Sequence, residues 1–192
     1  MPLPPPANTP PILFTVGHSN RSWEDFVTLV KSHAIAAIAD VRRFPGSRRL
    51  PQFNDANLAK ALPESGIAYL PFPGLGGRRK PSPDSINTGW RNDGFRAYAD
   101  YMQTPEFLAA LDDLITEASR NPTAVMCAEA VPWRCHRSLI ADAMLVRGWR
   151  VLDVMSPTSA KPHKLTPFAH VKGTQITYPP EQATLPFPAS SA

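Results

Sequence analysis

Three short stretches concentrate side chains able to move protons or hold anions. His18-Ser19-Asn20-Arg21 follows one apolar run and Asp40-Val41-Arg42-Arg43 follows another. Cys127-Ala128-Glu129 closes a third and leads into Val131-Pro132-Trp133-Arg134-Cys135-His136-Arg137. A carboxylate near an imidazole can divide donor and acceptor roles near pH 7, so Glu129 and His136 are the acid/base candidates. Arg42 and Arg137 can each clamp a phosphate or carboxylate through two parallel donors, with Ser19 orienting it. His18 completes the catalytic set, and Cys135 is its reserve nucleophile. Asp40 and Arg42 can instead brace each other in a loop, and an internal pair of Glu129 with the cations around it is the plainer reading of that cluster.

The stretch from Arg134 to Arg137 sets cations at the start of a helix. That end is already partly positive, so clustered cations there imply a compensating anion: Glu129, Asp40, or a bound phosphate or carboxylate. Cys135 shares a spacing with the apolar residues of the same helix and is expected to point inward. A thiol at a helix start would be activated only if exposed. Six residues separate Cys127 from Arg134, one more than the loop of cysteine phosphatases, and no glycine lies between them. Zinc on Cys127, Cys135, His136 and His18 lacks paired C-x2-C spacing. No metal or cofactor is therefore expected. Gly74-Leu75-Gly76-Gly77-Arg78-Arg79-Lys80 is not an ATP-binding P-loop, but Gly76, Gly77 and Arg78 can approach a phosphate backbone closely. Arg42, Arg43, Arg48, Arg49, Arg78, Arg79, Lys80, Arg134 and Arg137 can form a basic rim. Trp90, Trp133 and Tyr69 are available for base stacking. Trp133, between Pro132 and Arg134, is the least expected in a core.

These groups need elements to position them. Apolar runs at 12–16, 35–41, 67–72, 123–127 and 150–155 read as strands. Ser22 as N-cap opens a helix with Trp23, Phe26, Val27 and Val30 on one face. Further helices are expected at 55–62, 95–102, from Pro105 through Ala118, and at 135–147, where Gly148 stops the chain. The helix from Pro105 should bury Phe107, Leu108, Leu111, Leu114, Ile115 and Ala118. Strands alternating with helices predict an α/β fold: a single three-layer domain, a mostly parallel sheet of about five strands, and helices on both faces. Ligands of such sheets bind beyond the carboxyl ends of the strands. All three polar stretches should then face one crevice.

Of the 23 prolines among 192 residues, six lie in 1–11 and seven in 157–192. Such clusters do not join helices or sheet interiors. Residues 1–10 read as a disordered lead, 11–156 as the folded domain, and 157–192 as an irregular, partly disordered proline-rich tail. The net charge of +4 permits a phosphate-bearing partner without demanding one. No apolar run is long enough for a membrane helix, the N-terminus is not a secretory signal, and two cysteines argue for a reducing compartment. A cytoplasmic protein is expected.

Thr15-Val16-Gly17-His18-Ser19, Asp40-Val41-Arg42-Arg43-Phe44-Pro45-Gly46-Ser47, Leu75-Gly76-Gly77, Cys127-Ala128-Glu129 and Cys135-His136-Arg137 occur in order over about 13–156. Together they resemble the domain-of-unknown-function 488 family (DUF488). The resemblance implies a cytoplasmic α/β domain whose signature polar residues are those named, with Ser47 among them, and implies no reaction. Asp-Val-Arg also resembles a strand end of rhodanese-like domains, but their cysteine-centred loop is missing. In the tail, Gln182, Leu185 and Phe187 resemble the Gln-x-x-Leu-x-Phe peptide that docks repair and replication proteins on the bacterial sliding clamp. The leading expectation is an enzyme acting on a nucleic acid or nucleotide, with a place in DNA repair. His18, Arg42, Glu129, Cys135, His136 and Arg137 would be catalytic. Ser19, Arg43, Ser47, Gly76, Gly77, Arg78, Trp133 and Arg134 would bind substrate. The alternatives are a non-catalytic nucleic-acid-binding or clamp-docking adaptor, and a thiol-dependent small-molecule enzyme of phosphatase or sulfur-transfer type.

Overall fold

The computed structural model describes residues 9–180. The clamp-like peptide at Gln182, Leu185 and Phe187 lies outside the described residues. Five parallel strands form the body of one sheet: β1 (Ile12–Gly17), β2 (Ala37–Asp40), β3 (Ala68–Pro71), β4 (Thr123–Cys127) and β5 (Arg150–Ser156). A sixth, β6 (Ser159–Pro162), runs antiparallel to β5, giving the order β3-β2-β4-β1-β5-β6. This is the expected α/β domain, with one strand added at an edge.

Side chains alternate across the sheet, and both faces are apolar. Leu13, Ala39, Val41, Val125 and Cys127 point into one layer, beneath α3 (Asp93–Tyr101), α4 (Pro105–Arg120) and α5 (Arg137–Leu145). Val16, Ile38, Ala124 and Met126 point into the other, beneath α1 (Trp23–Ser32) and α2 (Asp55–Glu64). The caps form as the sequence requires. Ser22 Oγ accepts the Asp25 amide at 3.0 Å, and Thr104 Oγ1 accepts that of Phe107 at 3.3 Å, with Pro105 in the first turn. Leu108 departs from expectation, standing 41% exposed on α4.

The folded unit does not stop at 156. After β6 the chain returns as the hairpin β7 (His170–Lys172) and β8 (Gln175–Thr177), and Ile176 and Tyr178 enter the core of the α5 layer. Asn87 holds this return in place, its Oδ1 accepting the Tyr178 amide at 2.8 Å. Among the described residues, 157–180 form no helix, but irregular backbone can still be anchored when a few side chains are buried. No described helix is long and apolar enough to cross a membrane.

Candidate functional site

The strands β2, β4 and β1 are neighbours, so the three polar stretches do emerge side by side. The His18 amide donates to the Cys127 carbonyl at 3.0 Å, and the Val41 amide to that of Met126 at 3.0 Å. Strand periodicity then divides them. His18, Asp40 and Arg42 lie on the α1/α2 side; Cys127, Cys135, His136 and Arg137 lie on the α5 side. One crevice was expected, and the sheet separates its members into two polar clusters.

In the first cluster Asp40, 2% exposed, is the hub. Arg42 Nε and Nη2 donate to its two oxygens at 2.8 and 2.6 Å, and Tyr69 Oη adds a bond at 3.0 Å. Arg42 therefore does not stand free as an anion clamp; it is the brace that was the plainer alternative. Its Nη1 meets His18 Nε2 at 3.2 Å, and His18 Nδ1 lies 2.8 Å from the Ser19 carbonyl. Arginine can only donate and a carbonyl can only accept, so His18 carries its proton on Nδ1 and is neutral. Burial first, then the Arg42 charge, lowers its pKa to about 4. The ring stacks on Phe53 at 4.3 Å. Burial and the Asp40 carboxylate raise the Tyr69 phenol, which is held as a donor. Asp40, Arg42 and Tyr69 nevertheless line an open cleft of about 460 Å3, together with Arg43, Asp55 and Pro73.

In the second cluster His136 spends both nitrogens away from Glu129. Nε2 donates to the Val41 carbonyl at 3.0 Å, and Nδ1 faces Cys135 Sγ at 3.5 Å. Burial lowers its pKa to about 4. The expected Glu129–His136 acid/base pair is thus not assembled, and neither His18 nor His136 titrates near neutrality. Glu129 is exposed, and it is its backbone carbonyl that accepts Arg137. Arg137 is 1% exposed and turned into the protein. The cations at the start of α5 are accommodated by neutralising one and inverting another, without Glu129 as ion-pair partner. Cys135 points inward at 4% exposure, as its spacing required.

The remaining expected residues divide between packing and rim. Gly76 and Gly77 are buried, and a Cβ on Gly77 would lie 2.9 Å from His136 Nδ1 and one on Gly76 2.8 Å from the Arg43 amide. Their smallness serves close packing of this loop against Arg43 and His136. Ser47 Oγ accepts the Leu50 amide within its own loop, and Ser19 Oγ reaches only Asn20. Arg79 turns inward over the Tyr101 ring at 3.5 Å and leaves the expected rim. Trp90 packs on Phe95 and Phe168 and is not free to stack a base. Arg43, Arg78, Trp133 and Arg134 are exposed.

Sequence reasoning passed over Phe44. This ring is 63% exposed, with the guanidinium carbons of Arg43 and Arg78 at 5.5 and 6.0 Å from its centroid. Arg43 Nη1 donates to the Arg78 carbonyl at 3.1 Å, joining the two loops beside the cleft. A phenylalanine between Arg43 and Pro45 in a basic loop was the available signal.

The family described as a domain of unknown function, DUF488, matches residues 22–144, more than half of the chain. Neither a curated protein nor a solved structure shows a significant match.

Proposed function

The chain belongs to the DUF488 family, and from that premise, which brings no reaction with it, we propose that the protein binds a nucleic acid or nucleotide at the rim of Arg43, Phe44 and Arg78. The carrying observation is an aromatic ring left in water with two guanidinium groups beside it. Burial does not hold that ring; a base can stack on it while the cations meet the adjoining phosphates. Arg48 and Arg49, exposed in the same loop, extend the positive surface. A labelled single-stranded oligonucleotide tests this by fluorescence anisotropy. Phe44→Ala should weaken binding about tenfold, within the usual range for one stacked base. Arg78→Ala should weaken it and reduce the salt slope by about one. Binding indifferent to both substitutions would refute the reading.

Turnover of the bound molecule is a second reading, and the cleft beside the rim favours it. Asp40 already accepts Arg42 and Tyr69. A reaction there needs the substrate phosphate to draw Arg42 away, which releases Asp40 and His18 Nε2 as proton acceptors. Asp40→Asn should then abolish hydrolysis of an oligonucleotide or nucleotide while changing its binding less than threefold (under about 0.7 kcal/mol). Retained hydrolysis would exclude this chemistry. If the wild-type protein binds without hydrolysis, the adaptor reading is the right one. Docking on a sliding clamp through Gln182, Leu185 and Phe187, and a role in DNA repair, have the sequence as their support.

A further inference from the structure

The chain has two cysteines, and their sulfurs meet in the core between β4 and the start of α5. Their Cα atoms stand 7.6 Å apart, wider than a relaxed disulfide spans, so the backbone is placed for a facing pair of thiols. Beside them lies Arg137. Its Nη1 donates to Cys127 Sγ at 2.8 Å and to the Glu129 carbonyl at 2.5 Å, and its Nη2 to the Ala130 carbonyl at 3.0 Å. Its Nε has no partner. None of the ion pairs among the described residues includes it.

A buried guanidinium needs an opposing charge close by. The charged groups around it do not supply one in contact. The Asp153 carboxylate on β5 is bonded to Thr15 and His163, the Glu129 side chain is exposed, and Arg21 adds another positive charge. Burial is the dominant influence on Arg137 and lowers its pKa to about 10, with Asp153 and Glu129 acting against it. Of the groups it touches, two are neutral carbonyls. The third, Cys127 Sγ, can become an anion. Cys135 is held differently: its sulfur faces the Nδ1 of His136, whose lone pair is free because Nε2 carries the proton donated to Val41.

We propose that Cys127 and Cys135 form a peroxide-reactive dithiol, in which Cys127 is a thiolate paired with Arg137 and Cys135 closes a reversible disulfide onto it. The Cys127 thiolate attacks one oxygen of hydrogen peroxide and the O–O bond breaks. Cys127 becomes a sulfenic acid, and the departing hydroxide takes a proton from solvent as water. The Cys135 proton passes to His136 Nδ1 as its sulfur attacks Cys127. The S–O bond breaks, and the second hydroxide leaves as water with the proton from His136. Two sulfurs lose two electrons together, and the peroxide gains them. Closing the bond draws the two backbones together and moves residues 128–134. It also removes the negative charge opposite Arg137, so the oxidised protein should be less stable than the reduced one.

The inference is independent of the nucleic-acid reading. Its first test is intact mass of the native full-length chain after hydrogen peroxide. A monomer lighter by two hydrogens, restored by dithiothreitol, is expected, and Cys127→Ser and Cys135→Ser should each prevent it. The melting temperature should fall on oxidation and recover on reduction. The second test uses native Cys135→Ser, which should show the ultraviolet thiolate band at neutral pH. A band appearing only at alkaline pH would overturn the charge assignment. Two unreacted thiols, a cross-linked dimer, or a melting temperature raised by oxidation would overturn the switch.

Discussion

Asp142→Ala should destabilise the fold by about 3–5 kcal/mol, the range for breaking a buried ion pair. Asp142 is fully buried on α5. One oxygen accepts His163 Nε2 at 3.0 Å and the Thr166 amide at 3.2 Å; the other accepts Tyr178 Oη at 2.9 Å. His163 Nδ1 lies 3.1 Å from Asp153, whose second oxygen accepts Thr15 Oγ1 at 2.6 Å. Both ring nitrogens face carboxylates, so His163 is an imidazolium. Burial alone would lower its pKa, but bonds to Asp142 and Asp153 together outweigh this and raise it to about 9. The substitution leaves this cation with Asp153 alone and strands the phenol and an amide at once. It thereby frees the segment that sequence composition had assigned to an irregular tail. Chemical denaturation measures the loss, and a change below about 1 kcal/mol would mean the network holds nothing.

The same network sets a pH dependence. The folded pKa of His163, about 9, lies above its ordinary 6.5. Its contribution is therefore complete below about pH 6.5 and disappears as pH rises through about 9. The amount is about 3 kcal/mol. His163→Gln should be less stable at neutral pH and should flatten the profile across that window. Parallel profiles for the two proteins would show that another group titrates.

Gly17→Ala should cost about 3 kcal/mol or prevent folding. A Cβ at the end of β1 would lie 1.8 Å from the Glu129 carbonyl oxygen and 2.7 Å from its carbon, both backbone. That carbonyl also accepts Arg137, so moving it disturbs the buried guanidinium. Gly46→Ala is the control: nothing lies within 4 Å of its Cβ, and its effect should stay within about 0.5 kcal/mol. Equal melting temperatures for the two variants would contradict the close approach of β1 to the 128–130 loop.

Much of this architecture is legible in the chain alone. Apolar runs such as 12–16 and 123–127, separated by capped amphipathic helices, specify strands buried on both faces. Spacing turned Cys135 inward, and a polar neighbourhood left Trp133 outside at 66% exposure. The C-terminal return was harder to see. Its signals were polar residues in apolar company: Asp142 inside Leu139–Met144 and Asp153 inside Val151–Val154. Each needed a partner, and His163 supplies it for both.

Periodicity and capping are local, so the strands, the helices, the parallel sheet and the edge at which polar residues gather can be read along the chain. Pairing among those residues is not local. Whether Arg42 meets a guest or Asp40, whether His136 turns to Glu129 or to Val41, and which face of the sheet receives Cys127 depend on distances across strands distant in the chain. These outcomes are set by packing, because a charged side chain withdrawn from water takes whichever partner comes within hydrogen-bond reach.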